Sequence, residues 1–310
     1  MERKKFAVVG GDLRMIAAAR KLSEAHSVTL CGFELQDARF PGDHLCCSGG
    51  TSERLGSLDG LTLLHPEKAV KGADAVILPL PATQDNLNVS TPFSDNSVSF
   101  DALLGLMKEN GVGRLFGGML GGASQRFEDA GIKTTDYYKR EEFAVLNAVP
   151  TAEGAIGIAL DELRITLHGS KSLVIGNGRI GKILASKLAA LGSDVTVSAR
   201  KPLDFALISA AGLRHAPTDR LYEIVREGFD VIFNTVPHTV LGRRELENLP
   251  PETLIIDLAS KPGGVDIACA GALGRRVIWA LSLPGKCAPV SAGRIIAETI
   301  LGCVREDEVC

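Results

Sequence analysis

Residues 171–201 read KSLVIGNGRIGKILASKLAALGSDVTVSARK, and no other stretch constrains the fold as strongly. An apolar run, Leu173–Ile175, meets Gly176-Asn177-Gly178-Arg179-Ile180-Gly181. Apolar residues then recur at helical spacing (Ile183, Leu184, Leu188, Leu191) up to Gly192. Val195 and Val197 alternate in the next run, which leads to Ser198-Ala199-Arg200-Lys201. Strand, glycine turn, helix and strand in this order predict a dinucleotide-binding βαβ unit. Gly176 is expected to make the tight turn, Gly178 to admit a pyrophosphate, and Gly181 to let helix and strand pack closely. The helix N-terminus offers free N–H groups and a positive dipole to the phosphates.

The end of the second strand refines the cofactor. An NAD site carries Asp or Glu about 20 residues past the glycines, to accept from the ribose 2′-OH. Here that place holds Ser198, Arg200 and Lys201. A carboxylate repels a 2′-phosphate, whereas a hydroxyl and two cations hold one. The expected cofactor is therefore NADP.

The chain has 310 residues, 45% hydrophobic and 23% charged, enough for two α/β domains with full cores. A formal charge of -3 gives no basic surface for nucleic acid. No uninterrupted apolar run has the length of a membrane span, and the opening MERKKFAVVGG lacks a signal-peptide core. A cytoplasmic protein is expected. Of the seven cysteines, Cys46 and Cys47 are adjacent and none form a C-x-x-C pair, so free thiols are expected and no metal site.

Apolar runs and helical patterns alternate throughout, which predicts two doubly wound, Rossmann-like domains with a cleft between them, resembling two-domain 2-hydroxyacid dehydrogenases. The expected division is 1–150 for substrate and partner, 151–290 for NADP, and a final helix, 291–310, returning to the first domain. Ala144–Asn147 reads as a strand. Pro150 then separates it from a helix over Thr151–Arg164, with Thr151 as N-cap and Glu153 in the first turn. Residues 36–60 read as loop. So does Pro79–Ser97, at the carboxyl end of a buried run, where ligand-binding loops gather.

Three more loops fall at strand ends. Asn234-Thr235-Val236-Pro237 follows Val231–Phe233 and is expected to touch the cofactor, while His238 reads as solvated. Asp257–Gly264 follows the next strand; Asp257 fits either a turn cap or a substrate contact. The stretch from Leu283 to Pro289, with Lys286, is expected to form a turn near the nicotinamide. In the first domain Gly10-Gly11-Asp12 follows the first strand, but Met15 occupies the place of a third glycine, so no second nucleotide is expected there. Arg14 with Thr91 and Ser94 would hold an anionic substrate; a local Asp12–Arg14 ion pair is the competing reading.

With these residues in hand, the chain resembles the A subunits of dipicolinate synthase. The motifs are VVGGDLR (8–14), ILPLPAT (77–83), TPFS (91–94), NAVPTAEGAI (147–156), GNGRIG (176–181), SARK (198–201), NTVP (234–237), DLASKPGGVD (257–266) and LPGKCAP (283–289). PTAEGAI and LPGK-x-AP together are the most specific. The resemblance implies oxidation of dihydrodipicolinate, formed on the lysine pathway from hydroxytetrahydrodipicolinate, to dipicolinate, with hydride transfer to NADP. It implies a role in the mother cell of a sporulating bacterium, together with a flavoprotein-like B subunit; self-association is left open. Under it Arg14, Thr91, Ser94, Thr151 and Lys286 become candidate carboxylate holders, and Glu153 a candidate base. A 2-hydroxyacid dehydrogenase would need a histidine near the last strand, and none follows His238. A non-catalytic NADP-binding scaffold is the alternative from another class.

Overall fold

The structure, a computed structural model, describes residues 2–33 and 61–309. The loop expected over 36–60 and the Cys46-Cys47 pair lie outside the described residues. Contacts divide the chain into two units, 1–146 with 285–310, and 147–284.

The first unit opens with β1 (Lys5–Val9), α1 (Leu13–Ser23) and β2 (Ser27–Cys31). It continues through β3 (Thr62–Leu63), α2 (Pro66–Val70), β4 (Ala75–Ile77), α3 (Phe100–Glu109), β5 (Arg114–Gly117), α4 (Ala123–Glu128) and β6 (Lys133–Asp136). These strands form one parallel sheet in the order β3-β2-β1-β4-β5-β6. The inner strands β1, β2, β4 and β5 carry short apolar runs, as strands covered on both faces require. One face is filled by Phe6, Val8, Leu30 and Ile77 with Met15, Ala18 and Leu22 of α1. The other carries Ala7, Val9, Val76 and Leu115 under Phe100, Leu103 and Met107 of α3.

The next helix, α5 (Glu141–Glu162), begins in the first unit and ends in the second. It replaces both the strand expected at Ala144–Asn147 and the helix start expected at Thr151. Pro150 lies inside it. Proline removes one N–H from the ladder, and the Thr151 hydroxyl donates to the Asn147 carbonyl at 2.8 Å one residue further on. The apolar flank of Pro150 outweighs its breaking tendency: Ala152, Ala155 and Ala159 are fully buried in the second core. By length and composition α5 is apolar enough to cross a membrane, yet half of that window is buried in the protein, as in a core helix.

The second unit follows with β7 (Lys171–Ile175), α6 (Arg179–Ala190), β8 (Asp194–Ala199), α7 (Pro202–Ala210), β9 (Arg214–Pro217) and α8 (Leu221–Ile224). Then come β10 (Val231–Asn234), α9 (Arg243–Glu247), β11 (Leu254–Asp257), α10 (Ile267–Ala272) and β12 (Arg276–Trp279). Its parallel sheet has the order β12-β11-β10-β7-β8-β9. Both sheets are therefore doubly wound, with a switch in winding direction beside β1 and β4 in one and β7 and β10 in the other. Ligands of such sheets bind outside the carboxyl ends of the strands at that switch.

Two helices close the chain, α11 (Leu283–Cys287) and α12 (Pro289–Val309). The expected turn over 283–287 is thus helical. Ile296, Ala297, Ile300 and Cys303 of α12 complete the first core beside α1. Gly293 permits this approach: a Cβ there would lie 2.2 Å from the Arg14 carbonyl oxygen and 2.6 Å from Ala17 Cβ. Acidic groups at the end of a helix oppose its dipole, and here cations answer them. Arg114 and Lys133 pair with Asp307, and Arg140 with Glu306.

Candidate functional site

The glycine turn of the second unit sits at its switch point. Gly176 has φ 102°, and a Cβ on it would come within 2.5 Å of Thr235 Oγ1 and 2.9 Å of Val236 Cγ2. A Cβ on Gly181 would lie 2.0 Å from the Gly176 carbonyl oxygen. Both glycines are required by the chain's own packing. Gly178 is different. Its φ of −81° suits any residue, and a Cβ there would meet nothing within 4 Å. The fold leaves open the space that a diphosphate would enter, directly before the uncapped N-terminus of α6. Arg179 and Ile180 form the first turn of that helix.

The neighbouring loops are held rigidly. Thr235 donates from both N and Oγ1 to the Ile175 carbonyl, at 3.0 and 2.9 Å. Asn177 Nδ2 donates to Asp204 Oδ1 of α7 at 3.0 Å, tying the glycine turn to the next helix. Asn234 is fully buried; its amide nitrogen donates to Asp257 Oδ1 at 2.7 Å and to the Val236 carbonyl at 3.0 Å. Its oxygen accepts from Val236 N–H at 3.1 Å. Asn234 therefore builds the loop carrying Thr235, Val236 and Pro237, and its side chain is not free for a ligand. Asp257 accepts from Ala259 N–H and Gly264 N–H at 3.0 and 2.8 Å, so this buried carboxylate is a turn cap rather than a substrate contact. Leu283 is 4% exposed within the second core, so its side chain is not available to a cofactor.

At the end of β8 the predicted residues separate. Ser198 is fully buried, with its hydroxyl 2.8 Å from Thr218 Oγ1, and so it is not presented to a phosphate. The last residues of a strand covered on both faces point into core, a constraint that its polar type hides. Arg200 and Lys201 are exposed, and neither makes an ion pair with a described residue. Lys201 is the N-cap of α7 and has no side-chain capping bond. Asp204 in the first turn of α7 answers the helix dipole and is bonded to Asn177, while Arg200 and Lys201 stand outside that contact. A dinucleotide with a 2′-phosphate fits this set: an open cradle at Gly178, helix N–H groups behind it, and Arg200 with Lys201 one strand away.

The first unit's switch point is built otherwise. Cβ atoms on Gly10 and Gly11 would strike Ser90 O at 2.7 Å, Thr91 Cγ2 at 2.8 Å and Pro79 Cβ at 2.8 Å. The segment after β4 thus fills the space that a diphosphate would need. Arg14, at the start of α1, is paired with Asp12 at 2.8 Å and also donates to the Leu80 carbonyl. The local ion pair is real, and the Nη1 donors of Arg14 are left outside it. Thr91 and Ser94 share one turn: Ser94 N–H donates to the Thr91 carbonyl at 3.0 Å, and Ser94 Oγ accepts from Asn96 N–H at 3.1 Å.

Lys286 belongs to the first unit, not to a turn of the cofactor domain. A Cβ on its neighbour Gly285 would lie 3.1 Å from Arg14 Nε, so α11 packs against Arg14 through Gly285, and Lys286 next to it is exposed. The structure therefore places Thr91 against Gly10 at the carboxyl end of β1, and Gly285 of α11 against Arg14. Beneath them Tyr137 is fully buried and donates to the Leu78 carbonyl at 3.1 Å. Burial pushes its phenol up and keeps it protonated, so it supports the site without acting as a base. Thr151 and Glu153 lie in the second unit, mid-helix rather than at a helix start. Glu153 is paired with Lys187 of α6 at 2.8 Å, which fixes α5 on α6. Among the described residues no group of three or more metal-ligating side chains exists.

The dipicolinate synthase A subunit of Bacillus subtilis (strain 168) is 34% identical over 304 residues, covering 96% of this chain and 94% of that one. The chain belongs to the family of dipicolinate synthase A subunits. The profile for the N-terminal domain of that family matches residues 57–138, within the first unit of this family member. A crystal structure of the dipicolinate synthase A chain from Bacillus subtilis superposes with a TM-score of 0.82 at 32% identity, covering 100% of this chain and 98% of that one. The structure of the A subunit from Bacillus halodurans gives 0.81 at 29% identity, with 97% of each chain covered. Beyond the family, apo D-lactate dehydrogenase of Escherichia coli shares the fold, with a TM-score of 0.55 at 14% identity and coverage of 98% and 97%. The two-domain dehydrogenase fold is thus established.

Proposed function

We propose that this chain is the NADP-dependent A component of a dipicolinate synthase, which oxidises dihydrodipicolinate to dipicolinate. The observation that carries the cofactor half is the pair Arg200 and Lys201, exposed and without an ion pair among the described residues, at the N-terminus of α7. Membership of the family carries the substrate half. When bound, NADP supplies the hydride acceptor. The residues of the chain then have orienting tasks. Backbone N–H groups at the start of α6 hold the diphosphate, and Arg200 and Lys201 the 2′-phosphate. Arg14, together with Thr91 and Lys286, holds a carboxylate of the substrate. Arg14 is suited to this because Asp12 and Leu80 lock its guanidinium in place. Oxidation of a dihydropyridine also releases a ring proton. Glu153 is occupied by Lys187, so the ring proton passes to water, and aromatisation supplies the drive. A second component is part of the proposal, because the relatives are A subunits, and we assign to it the flavoprotein-like B chain. On this reading the protein works in the cytoplasm of the mother cell.

The test is an absorbance assay at about 340 nm with purified chain, dihydrodipicolinate and either cofactor; wild type should prefer NADP, with Arg200→Ala raising KM for NADP about tenfold or more while leaving NAD little changed. A clear preference for NAD would sink the cofactor assignment. Turnover that appears only after the flavoprotein-like B chain is added would mean that the activity needs the pair.

A further inference from the structure

Met119 stands at φ 54°, in the left-handed region, and is 49% exposed. Nothing about its loop is loose. A Cβ on Gly117 would lie 2.5 Å from Leu120 Cδ2, and one on Gly118 would lie 2.8 Å from both Leu80 Cδ1 and Tyr137 Cε2. Gly118 N–H donates to the Pro79 carbonyl at 3.1 Å, and Ala82 N–H donates to the Gly118 carbonyl at 2.7 Å. Asp136, at the end of β6, accepts from the N–H groups of Met119, Leu120 and Tyr138 at 3.0, 3.3 and 3.1 Å. A carboxylate and two crowded glycines thus hold a methionine in a conformation that glycine or asparagine adopts more readily. A strained residue with a buried side chain is explained by packing; this one presents a large apolar side chain to solvent.

Its place is informative. The loop follows β5 at the carboxyl edge of the first sheet. Leu80 joins it to Arg14: the Leu80 carbonyl accepts from Arg14, and the Leu80 side chain lies against Gly118. Observed backbone strain at such an edge points toward function. We propose that Met119 is a specificity-determining residue, whose thioether packs against the face of the flat heteroaromatic dicarboxylate that Arg14 anchors. Polarisable sulfur suits an aromatic face. The site would therefore favour a planar ring over an open-chain dicarboxylate of similar length. This inference rests on the proposed function and adds the residue that reads the ring.

The test compares wild type with Met119→Gly and Met119→Leu by calorimetric titration of dipicolinate and of pimelate, an open-chain dicarboxylate. NADPH titration and melting temperature are measured alongside. Met119→Gly should weaken dipicolinate about tenfold, with pimelate and NADPH unchanged and the melting temperature equal or higher. Met119→Leu should stay within about threefold of wild type for dipicolinate. Unchanged dipicolinate affinity in Met119→Gly overturns the inference alone. A lower melting temperature with equal weakening of both dicarboxylates overturns it too, because the residue is then structural. Wild-type protein that fails to bind dipicolinate overturns the proposed function and this inference with it.

Discussion

The three glycines of GNGRIG look equivalent in a sequence and are not equivalent in the structure. Gly181 is pressed against the Gly176 carbonyl, whereas Gly178 faces open space. Gly181→Ala should therefore cost about 1–3 kcal/mol of stability by overpacking, seen as a lower melting temperature. Gly178→Ala should melt with wild type but weaken NADPH about tenfold or more in a fluorescence titration, because its Cβ invades the ligand's space alone. If both variants lost stability equally, the separation of roles would fail. His26 offers a pH-dependent test. It is 2% exposed, its Nδ1 accepts from Lys4 N–H at 3.2 Å, and its Nε2 has no partner. Burial lowers its pKa, with Lys4, Arg3 and the N-terminal amine acting the same way and Glu308 opposing. The unfolded chain then takes up a proton that the folded chain refuses, so stability falls as pH drops below the ordinary histidine value of about 6.5. His26→Asn keeps an acceptor and cannot titrate. Its melting temperature should fall less than that of wild type between about pH 7 and pH 5, and parallel curves would remove His26 from the account.

At the scale of elements, α12 does more than close the chain. Its Gly293 rests on the backbone of Arg14, and Asp12 caps α1 one turn away by accepting from Arg14 N–H at 2.9 Å. The backbone of Arg14, the proposed anion holder, is thus packed against a helix that lies far from it in sequence. Gly293→Val should lower stability by about 1–3 kcal/mol in denaturant melts. It should also raise KM for substrate while leaving NADPH affinity near wild type; a loss confined to NADPH would contradict the placement of Arg14. The dependence on Gly293 was not legible in the sequence, where 291–310 reads as a final helix returning to the first domain with nothing to mark its contact with Arg14. The strands and the glycine turn were legible, because central parallel strands are continuous apolar runs and the turn has a fixed chemistry. What failed was punctuation. Pro150 reads as a helix boundary because the residue before proline avoids the helical region. Burial of Ala152, Ala155 and Ala159 overrode that local preference. Pro284 and Gly285 read as a turn for the same kind of reason, although α11 is helical there. Ser198 shows the converse error, a polar residue assigned to a ligand when its hydroxyl is bonded inside the core. Met119 and Asp136 gave no signal at all, since a left-handed methionine is visible only in the backbone.

At the scale of the whole molecule the two units are unequal in the chain. The second, 147–284, is continuous and carries its own sheet, its own core and the proposed dinucleotide cradle. The first is interrupted: residues 1–146 lack α12, which contributes Ile296, Ala297, Ile300, Cys303 and Val304 to its core. A core missing that much apolar surface cannot offset its chain entropy, since each buried aliphatic side chain contributes about 1.5–3 kcal/mol. The second unit is in effect an insertion within the first. A fragment spanning 147–284 should therefore fold cooperatively and bind NADPH within about tenfold of the full chain, while a fragment spanning 1–146 should bind a hydrophobic dye and show no sharp melt. Circular dichroism melts and NADPH fluorescence on the two fragments decide the matter. A cooperative 1–146 fragment would show that α12 is dispensable, and the control of Arg14 by Gly293 would then have to be given up. A 147–284 fragment that folds but does not bind NADPH would mean that Arg200, Lys201 and the Gly178 cradle are not the complete cofactor site.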